Sequence, residues 1–244
     1  MKRTNLVFAA SLLVFATFMA SCQKSETTNP MVEISQDDDQ VGELYDDMLK
    51  EVDETTLEAT PNNSSAQYAM KVGSGTKIVT ITFSGDTTIK TITFTNFVNN
   101  NNESGHIKNG VIVVKILGSP RADVFKRIIL LQNFTVDGIL IEGKKEIVKT
   151  GQYVYSVTLT GGKTTFTDGT TYTREFTRVR TWAEGYNTAT VWDDVFTIEG
   201  VATGTNRKGN AYTHTITSPL VVKNSCRWIV EGVIELKVGD KVAV

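Results

Sequence analysis

Two hydrophobic periods divide the chain. Val41, Leu44, Tyr45, Met48, Leu49 and Val52 recur at steps of three and four, the stripe of a helix with one apolar face. Asp37-Asp38-Asp39 stand just before it, where negative charge favours a helix N-terminus. From about Ala69 the period becomes that of strands: "KIVTITF", "TIKTITFTNF", "GVIVVKIL", "FKRIILLQNF", "ILIEGKKEIV", "YVYSVTL", "TYTREFTRVRTW", "VFTIEGVAT", "YTHTIT" and "RWIVEGVIEL" are rich in Val, Ile, Thr and aromatics. Gly85-Asp86, Asp137-Gly138, Gly161-Gly162 and Asp168-Gly169 read as turns between them. Few connections have room for a crossover helix, so the strands should pair antiparallel and in sequence. The expectation is a mainly β fold: one large twisted antiparallel meander sheet, open or partly closed, with a short acidic N-terminal helix available to dock on it. A two-sheet β-sandwich is the alternative. "IEGKKE", "IEGVAT" and "VEGVIE" each centre on Glu-Gly, and Gly143, Gly200 and Gly232 mark places for a long strand to bulge or bend.

The first residues follow neither period. Lys2 and Arg3 precede an apolar run from Leu6 to Phe18, shorter than the ~20 residues of a membrane-spanning helix. Met19-Ala20-Ser21-Cys22 follows, with small residues before the cysteine, and this resembles the bacterial lipobox. The resemblance implies cleavage before Cys22, a thioether from its sulfur to diacylglycerol, and acylation of the new N-terminus. Several acyl chains hold firmly where one holds marginally, at about 0.8 kcal/mol per buried CH₂.

Charge separates the remainder. The whole chain is at −2, but residues 23–66 carry 12 acidic against 2 basic side chains, and residues 67–244 carry 15 acidic against 21 basic. The expected organisation is a lipoprotein signal peptide over residues 1–21, a lipidated acidic stalk with a short helix over 22–66, and an antiparallel β domain over 67–244. "TPNNSSA", from Thr60, reads as the linker. "DDDQVGELYDD" lacks the alternating ligands and central glycine of a calcium loop, so its acidic face is expected to be solvated. With Cys22 lipidated, Cys226 has no disulfide partner in this sequence, and only His106 and His214 could join it on zinc. No metal, cofactor or nucleic-acid partner is expected.

Two stretches carry candidate binding chemistry. In "TYTREFTRVRTW", Tyr172, Arg174, Phe176, Arg178, Arg180 and Trp182 share one face, and Thr171, Thr173, Glu175, Thr177, Val179 and Thr181 the other. The mixed face reads either as the wetted side of a sheet or as a platform, with rings stacking on sugars and arginines holding acidic groups. In "WAEGYNTATVWDD", Trp182, Tyr186 and Trp192 cluster with Asp193 and Asp194 on a long turn. It reads as a recognition loop or as tryptophans closing a core edge.

Catalytic readings fare poorly. Asp193 and Asp194 are adjacent and would point to opposite faces of a strand, unlike a glycosidase pair. No G-x-S-x-G motif accompanies either histidine, and "GTNRKG" is a basic hairpin end rather than a phosphate loop.

Arg178-Val179-Arg180-Thr181-Trp182, Gly185-Tyr186, Trp192-Asp193-Asp194, Gly204-Thr205-Asn206-Arg207-Lys208-Gly209 and Cys226-Arg227-Trp228-Ile229-Val230 resemble pieces of a family of uncharacterised outer-membrane and surface lipoproteins of Bacteroidota. The resemblance covers roughly residues 105–244, and the stalk in kind only. It implies lipid anchoring at the outer membrane, facing the periplasm or the cell surface, and it implies no activity. It also implies a further hairpin bearing a cysteine beyond Val244. The expectation is a non-enzymatic, palmitate-bearing envelope module whose partners are the membrane and an envelope component. The alternative is a glycan- or lipopolysaccharide-binding surface protein.

Overall fold

The computed structural model describes residues 30–57, 65–70, 74–98, 105–226 and 229–244. The leader, Cys22 and most of the linker stretch lie outside the described residues. One helix, α1 (Pro30–Leu57), precedes twelve strands: β1 (Ala66–Met70), β2 (Ser74–Ser84), β3 (Thr87–Val98), β4 (Ile107–Leu117), β5 (Lys126–Val136), β6 (Ile139–Lys149), β7 (Val154–Thr165), β8 (Thr171–Glu184), β9 (Val195–Thr205), β10 (Ala211–Lys223), β11 (Ile229–Val238) and β12 (Lys241–Ala243). The strands form one antiparallel sheet in strict sequence order, β1 to β12, and its two edge strands are not paired with each other. This is the open meander sheet the sequence predicts, and the sandwich alternative does not apply.

Local chemistry sets the hairpins. Asp137 and Gly138 close the β5–β6 turn with φ of 50° and 79°, the pair of positive values that matches the twist of the flanking strands. Gly85-Asp86 and Asp168-Gly169 also fall in turns. Gly161-Gly162 does not: β7 runs through it to Thr165, with a register shift between Leu159 and Gly162. The glycine pair makes a bulge, because Gly161 at φ 62° lets the chain take an extra residue without leaving the ladder. Gly143, Gly200 and Gly232, expected as bends, all have positive φ and stand at register shifts.

These bends curl the sheet, and α1 lies in the hollow. One continuous core joins Val41, Leu44, Tyr45, Met48 and Val52 of the helix to Val79 and Ile81 of β2, Ile92 and Phe94 of β3, Ile112 and Val114 of β4, Phe134 of β5 and Leu236 and Val238 of β11. Strands from both ends of the sheet therefore meet the same helix. A second apolar cluster, Phe125, Ile147, Tyr155, Val157, Trp182 and Phe196, shares this inner face. The outer face is the wetted one: Thr177, Val179 and Thr203 are exposed there.

Three expectations about the helix are corrected. It has 28 residues, not a short run, so Asp37-Asp38-Asp39 lie well inside it. Its acidic residues divide between two faces: Asp39, Glu43, Asp46 and Asp53 are exposed as expected, but Asp38, Asp47 and Glu51 are buried. The reason is on the sheet, where inward positions carry cations. Glu51 receives Lys77 and Lys108, each at 2.6 Å, and Lys108 also reaches Asp47 at 3.0 Å. Burial works against the Lys108 ammonium, but Glu51 and Asp47 outweigh it and hold its pKa above the usual lysine value. Arg127 donates to Asp53 at 2.6 Å, and Arg207, from the β9–β10 turn, reaches Asp37 at 3.2 Å. Lys90 Nζ donates to the Thr55 carbonyl oxygen, placing a cation at the negative end of the helix dipole, where α1 has no basic residue of its own. The acidic segment and the basic sheet are thus two halves of one core.

Candidate functional site

β8 carries the arginine–aromatic row expected from its alternation, and the row faces α1 rather than solvent. Tyr172, Arg174 and Trp182 are buried; Phe176, Arg178 and Arg180 are half-buried. Arg174 Nη2 donates to Asp38 Oδ1, and Tyr172 donates to the same oxygen at 2.6 Å. Burial opposes the Arg174 charge, yet Asp38 outweighs it and holds the guanidinium above its ordinary value. Arg174 is therefore a helix clamp, which removes it from any open ligand platform.

Arg178 and Arg180 are held differently. The Arg178 guanidinium lies 4.6 Å from the Phe176 ring centroid, and its Nη2 is 3.4 Å from His214 Nδ1. That of Arg180 lies 3.6 Å over Phe196. The Nε atoms of both are buried without a hydrogen-bond partner, as is that of Arg127. Burial, reinforced by Arg174, pushes Arg178 down to about 10, and burial reinforced by Arg127 does the same to Arg180. Lys145 of β6 joins this cluster, pushed down to about 8 by burial while Asp46 opposes. Burial likewise pushes His214 down to about 4, against the pull of Asp38.

The recognition loop splits into an inner and an outer part. Trp182 is inside: its indole N–H donates to Asp194 Oδ1 at 3.2 Å, and its ring packs on Phe196 and Tyr186 with Arg121 4.9 Å from the centroid. Asp194 is buried, and that burial raises its carboxyl pKa against the Trp182 hydrogen bond. Trp192 stands outside, 70% exposed. Asp193 is exposed and accepts from Thr188 Oγ1 at 2.9 Å, which with the Thr188 bond to the Gly185 carbonyl keeps the loop folded on itself. Tyr186 donates to the Arg121 carbonyl at 3.0 Å and accepts from Lys149 at 3.2 Å. An open pocket of about 470 Å³, lined by Asp123, Lys149, Thr150, Gly151, Gln152 and Tyr186, lies at this corner.

The eight candidate residues of β8 and its loop thus fall into four places: Arg174 in the helix clamp, Arg178 and Arg180 in the stacked guanidinium row, Trp182, Tyr186 and Asp194 in the inner part of the loop, and Trp192 and Asp193 on its exposed part. Arg127, Lys145, Lys149 and Arg121 were not among the sequence candidates. A readable signal existed for two of them: Arg127 and Lys145 are cations at positions where the alternation of "FKRIILLQNF" and "ILIEGKKEIV" points inward. Among the described residues no three His, Cys, Asp or Glu side chains converge as a metal site, and no helix is long and apolar enough to cross a membrane. Cys226 is a half-buried free thiol.

No family model matches the chain, and no curated protein or solved structure was found that resembles it.

Proposed function

We propose that this is a lipid-anchored envelope protein that acts without catalysis, held at the outer membrane through Cys22. The carrying observation is the basic, apolar, small-residue order that ends at Cys22. The fold adds a consequence. Cys22 lies eight residues before the start of α1, a reach of at most about 29 Å when fully extended. Because buried ion pairs fix α1 inside the sheet, the acidic segment is not a long spacer, and the whole domain sits close to the bilayer. Metabolic labelling with palmitate tests the anchor: wild type should incorporate label and Cys22→Ser should not, since serine cannot form the thioether. Equal labelling of both contradicts the reading.

A second reading, glycan binding, is favoured by Trp192 alone among the aromatic candidates. Its ring is exposed on a hydrogen-bonded loop, the condition for stacking on a sugar. Glycan-array binding that vanishes in Trp192→Ala at unchanged melting temperature supports it, and a blank array for wild type refutes it.

A further inference from the structure

The inner face of β5 to β8 holds more positive charge than the fold neutralises. Register places Arg127 opposite Ile147, Ile147 opposite Val157, and Val157 opposite Arg178, so these four share one row. In the neighbouring row on one side, Lys145 stands opposite Ile129 and Leu159. In the row on the other side, Arg180 stands opposite Tyr155. The four cations therefore surround an apolar floor of Ile147 and Val157. Arg180 makes no hydrogen bond and no ion pair among the described residues; its guanidinium stacks on the Phe196 ring, and Asp53 and Asp194 attract it only from beyond hydrogen-bond reach. Stacking fixes the orientation of a guanidinium, but it offsets less than the withdrawal from water costs.

A count of charge sharpens this. The carboxylates that act on these four cations from α1 are Asp38, Asp46 and Asp53; Asp38 is committed to Arg174 and Asp53 to Arg127. Arg174 is balanced by Asp38, Asp194 is shared between Arg121 and Arg180, and His214 is neutral near pH 7, so six cations face four carboxylates. Two positive charges remain, which is the complement of a phosphate monoester at −1.5 to −2. Arg178 and Arg180 are deep enough for burial to depress them, yet both keep part of their surface open.

We propose that Arg127, Lys145, Arg178 and Arg180 form an oxyanion site on the inner face of β5 to β8, which takes a phosphate group, free or carried as a monoester. The Nη groups of Arg180, which make no hydrogen bond and keep accessible surface, supply the donors, with the half-buried guanidinium of Arg178 beside them. The site depends neither on the lipid anchor nor on Trp192.

Calorimetric titration of the full chain at low ionic strength, near neutral pH, tests it in three arms. These use inorganic phosphate, phenyl phosphate, and phosphatidylcholine vesicles with and without phosphatidic acid. Saturable binding of one phosphate group per chain is expected, weakened at least about tenfold in Arg180→Gln by the loss of one charge-assisted donor group. Lys144→Gln, on the same strand as Lys145 but facing outward, should bind like wild type. Binding to the soluble phosphates assigns the site to free anions, and binding only to the acidic vesicles assigns it to a lipid headgroup; both support the site. No binding in any arm, or unchanged binding in Arg180→Gln, overturns it. Melting without ligand separates a binding role from a structural one. A ligand-site arginine leaves Arg180→Gln melting no lower than wild type, because an unneutralised buried charge is gone. Phosphate should then raise the melting temperature of wild type and not of the variant. A lower melting temperature for ligand-free Arg180→Gln makes the guanidinium a structural prop and overturns the proposal.

Discussion

Glu51 of α1 accepts a hydrogen bond from Lys77 of β2 at 2.6 Å, and neither side chain has any exposed surface. The other Glu51 oxygen is taken by Lys108 of β4 at 2.6 Å. An amphipathic helix usually turns its charges to water. Here the sheet curls far enough round α1 that Asp38, Asp47 and Glu51 are enclosed while Asp39, Glu43, Asp46 and Asp53 stay exposed, and each enclosed carboxylate must find a cation. A charge withdrawn from water is tolerated only with close, hydrogen-bonded partners, and two lysines on one carboxylate satisfy that condition.

Removing the shared carboxylate leaves two ammonium groups short of their main partner in the core. Glu51→Ala should therefore lose about 3–5 kcal/mol in chemical denaturation, the usual cost of breaking a buried ion pair from one side. Glu43→Ala, at an exposed position on the same helix, should stay within about 0.5 kcal/mol of wild type.

His214 makes stability depend on pH. Its folded pKa is pushed down to about 4 by burial, with Asp38 pulling upward and Arg178 and Arg174 pushing further down. Between that value and the usual value near 6.5 the unfolded chain binds the proton and the folded chain does not. The stabilisation is thus complete above pH 6.5 and is lost as pH falls toward 4, at up to about 1.4 kcal/mol per pH unit. Denaturation curves across this window should show His214→Gln with a flatter slope than wild type. Parallel slopes would remove His214 from the account.

The two tryptophans of the loop should behave oppositely. Trp182→Ala opens a cavity among Phe196, Tyr186 and Arg121 and leaves Asp194 without its indole donor, for a loss of about 3–5 kcal/mol. Trp192→Ala removes an exposed ring and should change stability by less than about 0.5 kcal/mol. Melting temperatures of the pair decide this before any binding assay is read.

Gly200 tests the bends. At φ 136° it lies where side chains rarely go, and a Cβ there would stand 2.7 Å from the Thr177 carbonyl oxygen. Gly200→Ala should destabilise by about 1–3 kcal/mol, the range for a residue forced into a sparsely populated backbone region. A neutral effect would mean that the strand can flatten at this point.

The strands, the hairpin turns and the three bending glycines are legible in the sequence because each follows from local rules: alternation, turn chemistry and φ preference. Gly161-Gly162 misleads for the same reason. A glycine pair permits a tight turn and a bulge equally, and only the partner strand selects between them. The helix face was harder to read. Asp38, Asp47 and Glu51 look like a solvated stripe, because their partners Lys77, Lys108 and Arg174 are 26 to 136 residues away. The Arg/aromatic alternation of β8 was plain, but which face the sheet turns inward is a property of its curl. Lys145 escaped notice as one lysine among several, although its inward position set it apart from Lys144.

The central claim is that α1 and the sheet form one cooperative unit joined by buried charge. Native-state hydrogen exchange tests it most directly. The amides from Leu44 to Val52 should exchange only through global unfolding, with the same opening free energy as Ile112 and Val114 of β4. Helix amides that exchange freely while the β4 amides stay protected would show that α1 is a detachable arm, and would contradict the account.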